Sequence, residues 1–126
     1  GKYWVPAMAD SPLRGANGHH EWFWEPDDEN NIYPLTTLMD MYEKSVGRNA
    51  TLIVGLTPNP EGLIPQQDVK RLQEWGQEIN RRFEKPLAQI SGSKKALTLK
   101  TGKGTQANYY IIRKTLLREN ESALTG

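Results

Sequence analysis

The residues best suited to chemistry lie between Gly18 and Asp28, which read Gly-His-His-Glu-Trp-Phe-Trp-Glu-Pro-Asp-Asp. Three large aromatic rings, two histidines and four carboxylates fall in this short segment, although the whole chain has only four Trp, two Phe and two His. Large rings beside ionisable groups suit a site that stacks on a sugar or a base and transfers a proton. The segment is therefore the candidate site, and the remaining elements must position it.

The composition excludes several classes of function. The 126 residues carry a net charge of +1 with no clustered basic face, which argues against a nucleic-acid surface. No apolar run approaches the roughly 18–20 residues of a membrane span. There is no cysteine, so neither a disulfide scaffold nor a thiolate metal site can form. The length fits one modest domain or a piece of a larger protein.

The first part of the chain predicts a strand followed by a long loop. Residues Lys2 to Met8 are mostly apolar and predict a buried strand whose end is marked by Pro6. Residues Asp10 to Gly18 have loop composition, and about 24 residues, from Ala9 to Ile32, separate this strand from the next regular element. Loops of that length are usually functional or disordered. The aromatic rings argue against disorder, since disordered segments contain few of them.

The middle of the chain predicts two amphipathic helices around a buried strand. The first helix begins at Pro34 and stops at Gly47, and Thr51 to Leu56 is an unbroken apolar run typical of a parallel strand buried on both faces. Gly55 leaves room there for a close backbone approach or a ligand. The second helix begins at Pro65, and Gly76 within it predicts close packing onto a neighbouring element. Its expected buried face consists of Val69, Leu72, Trp75, Ile79 and Phe83.

The order of elements predicts a parallel α/β arrangement. Two strand–helix units do not close a sheet, so the chain is either a small open fold or the last quarter of a (β/α)8 barrel. In such barrels the chemistry lies in the loops after the strands, where the aromatic segment falls. From residue 91 the composition becomes linker-like, and short strands are predicted at Ala96–Lys100 and Asn108–Arg113.

Several separate motifs resemble one known family. Trp4 to Gly15 and His20 to Pro26 resemble the acid/base region of the α-L-fucosidases of glycoside hydrolase family 29. Leu38 to Leu52 is similar to the penultimate helix and last barrel strand of that family, and Leu56 to Pro65 to its final loop. The resemblance covers about residues 3 to 90. It implies the last two βα units of a (β/α)8 TIM barrel in residues 1–90, followed in 91–126 by a linker and the first strands of a β-sandwich domain.

The resemblance also implies an activity. Family members are retaining hydrolases that release terminal α-L-fucose, with an Asp nucleophile and a Glu general acid/base. The nucleophile lies upstream in the family and nothing in this chain corresponds to it, so the isolated chain is expected to be inactive. The implied partner is a fucosylated oligosaccharide or glycoconjugate, with no cofactor and no nucleic acid. The implied location is extracytoplasmic, and the oligomeric state is not assigned.

The acid/base role falls on Glu21 by comparison with the family. Many members carry Glu where this chain has Met8, and a Met side chain cannot transfer a proton. Glu21 is then the best candidate, because neighbouring rings raise a carboxyl pKa by desolvation. Glu25 is the second candidate, and an ordinary solvated loop carboxylate is the alternative for either residue.

Four further residues are candidates for binding substrate. Trp22 and Trp24 either cover the apolar face of fucose or seal the barrel mouth, and strand-like alternation predicts that Phe23 faces away from both. Arg14 either donates hydrogen bonds to the sugar or to the acid/base carboxylate, or forms a surface ion pair. His20 is expected to contact the substrate or to orient Glu21.

A metal site and a phosphate site are not expected. His19 and His20 are adjacent and would point in opposite directions in a strand, and no third ligand has metal-site spacing. The glycines fit neither a P-loop nor a dinucleotide fingerprint. Two alternatives remain open: a non-catalytic sugar-binding module that uses the Trp22 and Trp24 platform, which Met8 favours, and a free-standing small α/β domain.

Overall fold

Two parallel strands and two helices form the framework of the protein. The computed structural model describes residues 5, 7–19, 21–94 and 96–113. Strand β1 is Met8–Pro12, helix α1 is Leu35–Ser45, strand β2 is Thr51–Gly55 and helix α2 is Gln66–Phe83. Two short 3-10 helices, Glu29–Asn31 and Val46–Arg48, lie before α1 and directly after it. The chain divides after Lys85 into two units.

The strands confirm the predicted parallel arrangement. They pair from Met8 opposite Thr51 to Pro12 opposite Gly55, and helix α1 lies between them in the sequence. A parallel pair needs such a crossover, because the chain must return to the same end of the sheet. The carboxyl ends of β1 and β2 therefore meet at one edge, at Pro12 and Gly55.

The core lies between the helices and the strand ends, and it confirms both predicted helices. Its buried members are Leu13, Ile32, Leu38, Met39 and Trp75. Leu72, Ile79 and Phe83 of α2 pack against this cluster, as their spacing of three and four residues predicts. The rings of Tyr42 and Phe83 join the two helices with centroids 5.7 Å apart.

Strand β1 extends into residues that the composition predicts as loop. Residues 1–4 and 6 lie outside the described part, and β1 begins at Met8, where the predicted strand ends. Residues 10 to 12, predicted as loop, pair with β2 instead. The apolar run of β2 sets this register, and Pro12 is tolerated because it is the last residue of its strand.

Two expectations about packing were wrong within the described residues. Strand β2 is not buried on both faces, since Ile53 is 47% exposed. Leu52 and Val54 pack against the core on one face, and Ile53 between them points to the opposite face of the sheet. Gly76 has open space where a side chain would begin, so close packing does not explain this glycine.

The second unit contains no helix or strand in residues 86–94 and 96–113. The strands predicted at Ala96–Lys100 and Asn108–Arg113 are therefore not formed in this structure. A strand becomes stable only when a partner satisfies its backbone groups, and short isolated hairpins are marginal in water. Within the described residues, none of the helices has the length and apolar character needed to cross a membrane.

Candidate active site

The long loop is fixed at its base by main-chain hydrogen bonds. Leu13 N–H donates to the carbonyl of Gly55 over 2.9 Å, and Tyr33 N–H donates to the carbonyl of Leu13 over 3.0 Å. Arg14 forms isolated antiparallel bridges with Glu21 and with Ile32. The loop thus begins where the two strands end, and it is ordered as the aromatic content predicted.

Gly15 shows why the loop turns where it does. Its φ is +148°, and a Cβ at this position would lie 2.4 Å from the hydroxyl oxygen of Tyr33. A side chain is therefore excluded by both backbone conformation and space. The ring of Tyr33 closes over this glycine and holds the loop against the segment that leads into α1.

Glu21 lies in the middle of the loop and is held by two amides. Asn17 Nδ2 donates to Glu21 Oε1 over 3.1 Å, and Asn31 Nδ2 donates to the same oxygen over 3.0 Å. The second oxygen, Oε2, is buried and accepts no hydrogen bond from the described residues. Two side-chain amides thus donate hydrogen bonds to one carboxylate oxygen of Glu21, and no described residue donates one to the other oxygen.

A buried group of charges lies next to Glu21. Arg14 is 1% exposed, and its Nη2 donates to Asp68 Oδ1 over 2.7 Å. Its Nη1 lies 3.4 Å from Asp28 Oδ2, and Asp28 also accepts a hydrogen bond from Asn31 Nδ2. Arg14 is therefore not in the surface ion pair considered from the sequence, because its guanidinium is enclosed between two buried carboxylates.

The pKa values of Glu21 and Asp28 move in opposite directions. A hydrogen bond with Asp28 is the largest cause that raises the pKa of Glu21, followed by desolvation, while the bond from Asn17 opposes the shift. Burial alone would raise the pKa of Asp28, but hydrogen bonds with Glu21, Asn31 and Arg14 lower it overall. When the two carboxyls share one proton, it therefore resides on Glu21. The prediction that Glu21 has a raised pKa agrees with this, although the main cause is Asp28 rather than the aromatic rings.

An open hollow of about 440 Å³ lies beside Glu21. Its lining residues, among those described, are Asn17, His19, Glu21, Trp22, Phe23 and Glu25. The Trp22 ring lies against Gly55, where a Cβ would be 3.0 Å from the indole Cζ3. This confirms that Gly55 leaves room for a close approach, and the group that uses the room is an aromatic ring.

The predicted alternation of the rings was wrong. Phe23, expected to face away, is 83% exposed and lines the hollow beside Trp22, whereas Trp24 is half-buried and is not among the lining residues. Alternation requires an extended strand, and the chain bends at Phe23 instead. His20 lies outside the described residues, so its predicted contact stays a prediction.

Met8 lies far from this hollow. It is 70% exposed and pairs with Thr51 at the amino ends of the strands, whereas the hollow is beside Gly55 at their carboxyl ends. Four residues of strand separate the two ends, which corresponds to about 13 Å. Met8 is also not among the described residues that line the hollow.

Sequence reasoning missed most partners of Glu21. Asp68 lies in the first turn of α2, and its partner Arg14 is 54 positions earlier. Nothing in a single sequence links two such distant residues. The pair of Asp28 and Asn31 is close to Glu21 in the sequence, so local spacing could have suggested it. No group of three or more potential metal ligands occurs in the part of the chain that the structure describes.

Known proteins that are similar to this chain include several named as fucosidases. No family model matches the chain. Over 88 residues it is 38% identical to α-L-fucosidase 1 of Arabidopsis thaliana, an alignment that covers 70% of this chain and 16% of the relative. A presumed α-L-fucosidase of Bacteroides thetaiotaomicron, solved by crystallography, is 79% identical with a TM-score of 0.78 and covers 82% of this chain and 24% of its own.

A third relative was solved with a bound sugar. It is the GH29 fucosidase E1_10125 of Ruminococcus gnavus in complex with fucose, which is 32% identical with a TM-score of 0.58. The match covers 67% of this chain and 15% of the R. gnavus protein. The chain belongs to glycoside hydrolase family 29. It spans no more than about a quarter of the length of these family members.

Proposed function

We propose that the chain is the acid/base segment of a retaining α-L-fucosidase that releases terminal α-L-fucose from fucosylated oligosaccharides or glycoconjugates. The observation that carries the proposal is Glu21, a carboxyl with a raised pKa at an open hollow lined by Trp22 and Phe23. Relatives named α-L-fucosidase, one of them solved with fucose, support the substrate. An extracytoplasmic location stays a prediction from the family resemblance.

In the first step of this mechanism Glu21 acts as an acid. Its proton passes to the glycosidic oxygen while the bond from that oxygen to the fucose anomeric carbon breaks, and an upstream Asp forms an ester with the same carbon. In the second step the Glu21 carboxylate takes a proton from water, whose oxygen displaces the ester. A raised pKa suits the first step because the carboxyl stays protonated closer to neutrality.

The aromatic rings would bind the apolar face of the sugar. Trp22 and Phe23 expose their rings to the hollow and can cover the C–H groups and the methyl group of fucose. Trp24 and His20 stay predicted contacts. Since two carboxylates already occupy the guanidinium of Arg14, we assign this residue to holding the loop rather than to binding the sugar.

The position of the loop supports the barrel assignment. The hollow lies beside the carboxyl end of parallel strand β2, next to Gly55, and the loop that lines it follows β1. Active sites of (β/α)8 barrels lie at that end of the strands. We therefore assign residues 1–90 to the last two βα units of such a barrel. The assignment of 91–126 to a linker and the first strands of a β-sandwich domain stays a prediction from the family resemblance.

The non-catalytic alternative loses its main support. Met8 was the one sequence feature that favoured a sugar-binding module, since it replaces a common family carboxylate. This side chain lies at the opposite end of β1 from the hollow and is not among the described residues that line it. Its identity therefore does not argue against catalysis by Glu21.

The test is Glu21→Gln in the full-length protein, with Glu25→Gln as the matched control. Glu25 lines the same hollow, but the amide hydrogen bonds of Asn17 and Asn31 go to Glu21 instead. Glu21→Gln should slow fucosides with poor leaving groups by about 10²–10⁴-fold, because only these need a proton in the transition state. Activated aryl fucosides should be slowed far less in the first step, and azide should rescue part of the loss.

The control separates this role from general damage to the loop. Glu25→Gln should keep most of the activity on both substrates. Equal losses on both substrates in Glu21→Gln, without azide rescue, would remove Glu21 from the acid/base role. A trapped 2-fluoro-fucosyl adduct on the full-length protein excludes a module that only binds sugar.

A further inference from the structure

The carboxylate of Asp28 is buried and has no role in the proposed reaction so far. It is 8% exposed and does not line the hollow, so it is not placed to contact substrate. It is nevertheless connected to Glu21 through Asn31, whose Nδ2 donates both to Glu21 Oε1 and to Asp28 Oδ1. One amide nitrogen therefore holds the two carboxyl groups side by side.

This arrangement is unfavourable if both groups are ionised. Two carboxylates in contact repel each other, and one of them then keeps a proton. Glu21 Oε2 is buried and accepts no hydrogen bond from the described residues, so ionised Glu21 would also leave a desolvated charge. A proton on Glu21 that is donated to Asp28 removes both costs.

The charges around the pair decide which group holds the proton. Arg14 faces Asp28 at 3.4 Å and is itself fixed by Asp68 at 2.7 Å, in the first turn of α2. Glu21 has no cation among its described hydrogen-bond partners, and the negative charge of Glu25 adds to that of Asp28. His19 also lines the hollow. The positive charge thus acts on Asp28, and the proton is left to Glu21.

We propose that Asp28 is a positioning residue for the acid/base: its carboxylate, kept ionised by Arg14, accepts a hydrogen bond from protonated Glu21 and retains the catalytic proton until it is transferred. The proposal rests on the proposed function, since it gives Asp28 a role only if Glu21 is the acid. When Glu21 passes its proton to the leaving oxygen, the two carboxylates repel each other. This repulsion makes Glu21 a stronger base towards water in the second step.

The test compares Asp28→Asn with Asp27→Asn in the full-length enzyme. Asp27 is the exposed neighbour and makes no hydrogen bond to Glu21. The rate constant kcat/KM is measured against pH with a fucoside that has a poor leaving group. Asp28→Asn removes a negative charge and the acceptor for the Glu21 proton, so Glu21 ionises at lower pH. The alkaline limb of the profile should therefore move to lower pH, while Asp27→Asn should keep the wild-type limb.

The outcomes distinguish this proposal from the proposed function. If Glu21→Gln is slowed as expected but Asp28→Asn keeps the wild-type alkaline limb, the role of Asp28 is excluded and Glu21 remains the acid. If Glu21→Gln keeps full activity on the poor leaving group, the proposed function itself fails. A uniform loss at all pH values in Asp28→Asn indicates a purely structural residue and overturns the proposal.

A second measurement covers the case in which Asp28→Asn does not fold. Full-length enzyme labelled with 13C-aspartate is titrated by infrared spectroscopy, as wild type and as Glu21→Ala. Without the proton of Glu21 as a donor, one aspartate should titrate at higher pH than in the wild type. Identical aspartate titrations in the two proteins would overturn the proposal.

Discussion

The loop from Leu13 to Ile32 and the pair of helices arrange their residues in opposite ways. In the helices, apolar side chains such as Leu38 and Trp75 are buried, and the ion pair of Lys44 and Asp40 is exposed. In the loop, the charges of Arg14 and Asp28 are buried, while Trp22 and Phe23 are exposed.

This inversion has a cost for folding. Buried ion pairs are often no more stable than apolar replacements, and exposed rings forgo their hydrophobic contribution. The helices thus stabilise the fold. The loop lowers the overall stability, because it holds a carboxyl pair and an aromatic surface in fixed positions. That difference is expected of a site rather than of a framework.

Breaking the buried charge group should have the largest effect. Arg14→Met leaves Asp28 and Asp68 buried without their cation, and should cost about 3–5 kcal/mol in the free energy of unfolding. The measurement is urea denaturation of the full-length protein. Arg48→Met, at an exposed arginine, is the control and should change stability by less than about 0.5 kcal/mol. A change at Arg14 as small as that at Arg48 would mean that the buried pairs are not maintained in solution.

Truncating one apolar side chain in each region should separate stability from activity. Leu38→Ala leaves a cavity in the core and should cost about 2–5 kcal/mol, with kcat/KM of the folded protein nearly unchanged. Phe23→Ala should change stability by about 0.5 kcal/mol or less. It should reduce kcat/KM on the order of tenfold, which corresponds to about 1.4 kcal/mol of lost ring contact. A loss of stability without a loss of activity in Phe23→Ala would contradict the assigned surface.

The partly exposed ion pairs of Glu78 on α2 should have the smallest effect on stability, and this effect should depend on pH. Hydrogen bonds from Arg81 and Arg82 lower the pKa of Glu78 from 4.5 to about 2. The folded-state pKa is below the unfolded one, so the stabilisation is complete above about pH 4.5 and is lost as the pH falls towards 2. Glu78→Gln should therefore lower the melting temperature slightly at pH 7. The difference in melting temperature between the wild type and this variant should become smaller below pH 4.5. If that difference in melting temperature stays constant across this pH range, the ion pairs of Glu78 do not stabilise the protein as expected.

The framework could be predicted from the sequence because its signals are local. The spacing of apolar residues predicts both helices, and the run from Thr51 onwards predicts β2. The position of β1 could not be read in the same way, because its register depends on pairing with β2 rather than on its own composition.

The site could be predicted only in part. Glu21 and the exposed rings follow from residue type, but the contact of Arg14 with Asp68 joins loop and helix across 54 positions. The bend at Phe23 also escaped prediction, because it depends on how the loop closes over Gly15 and Tyr33. The sequence thus indicated which segment is suited to chemistry. The environment that sets the protonation of Glu21 could be identified only from the fold.

Gly55 has a consequence for redesign of the hollow. The Trp22 indole rests directly on the main chain of β2, so the sheet, and not a neighbouring rotamer, sets the depth of the ring. Each carbon added at position 55 would push the indole outwards and make the space for substrate shallower. Substitutions at position 55, beneath the Trp22 ring, should therefore change the size of sugar that the hollow accepts. They would do so without altering any group that donates or accepts a proton in the reaction.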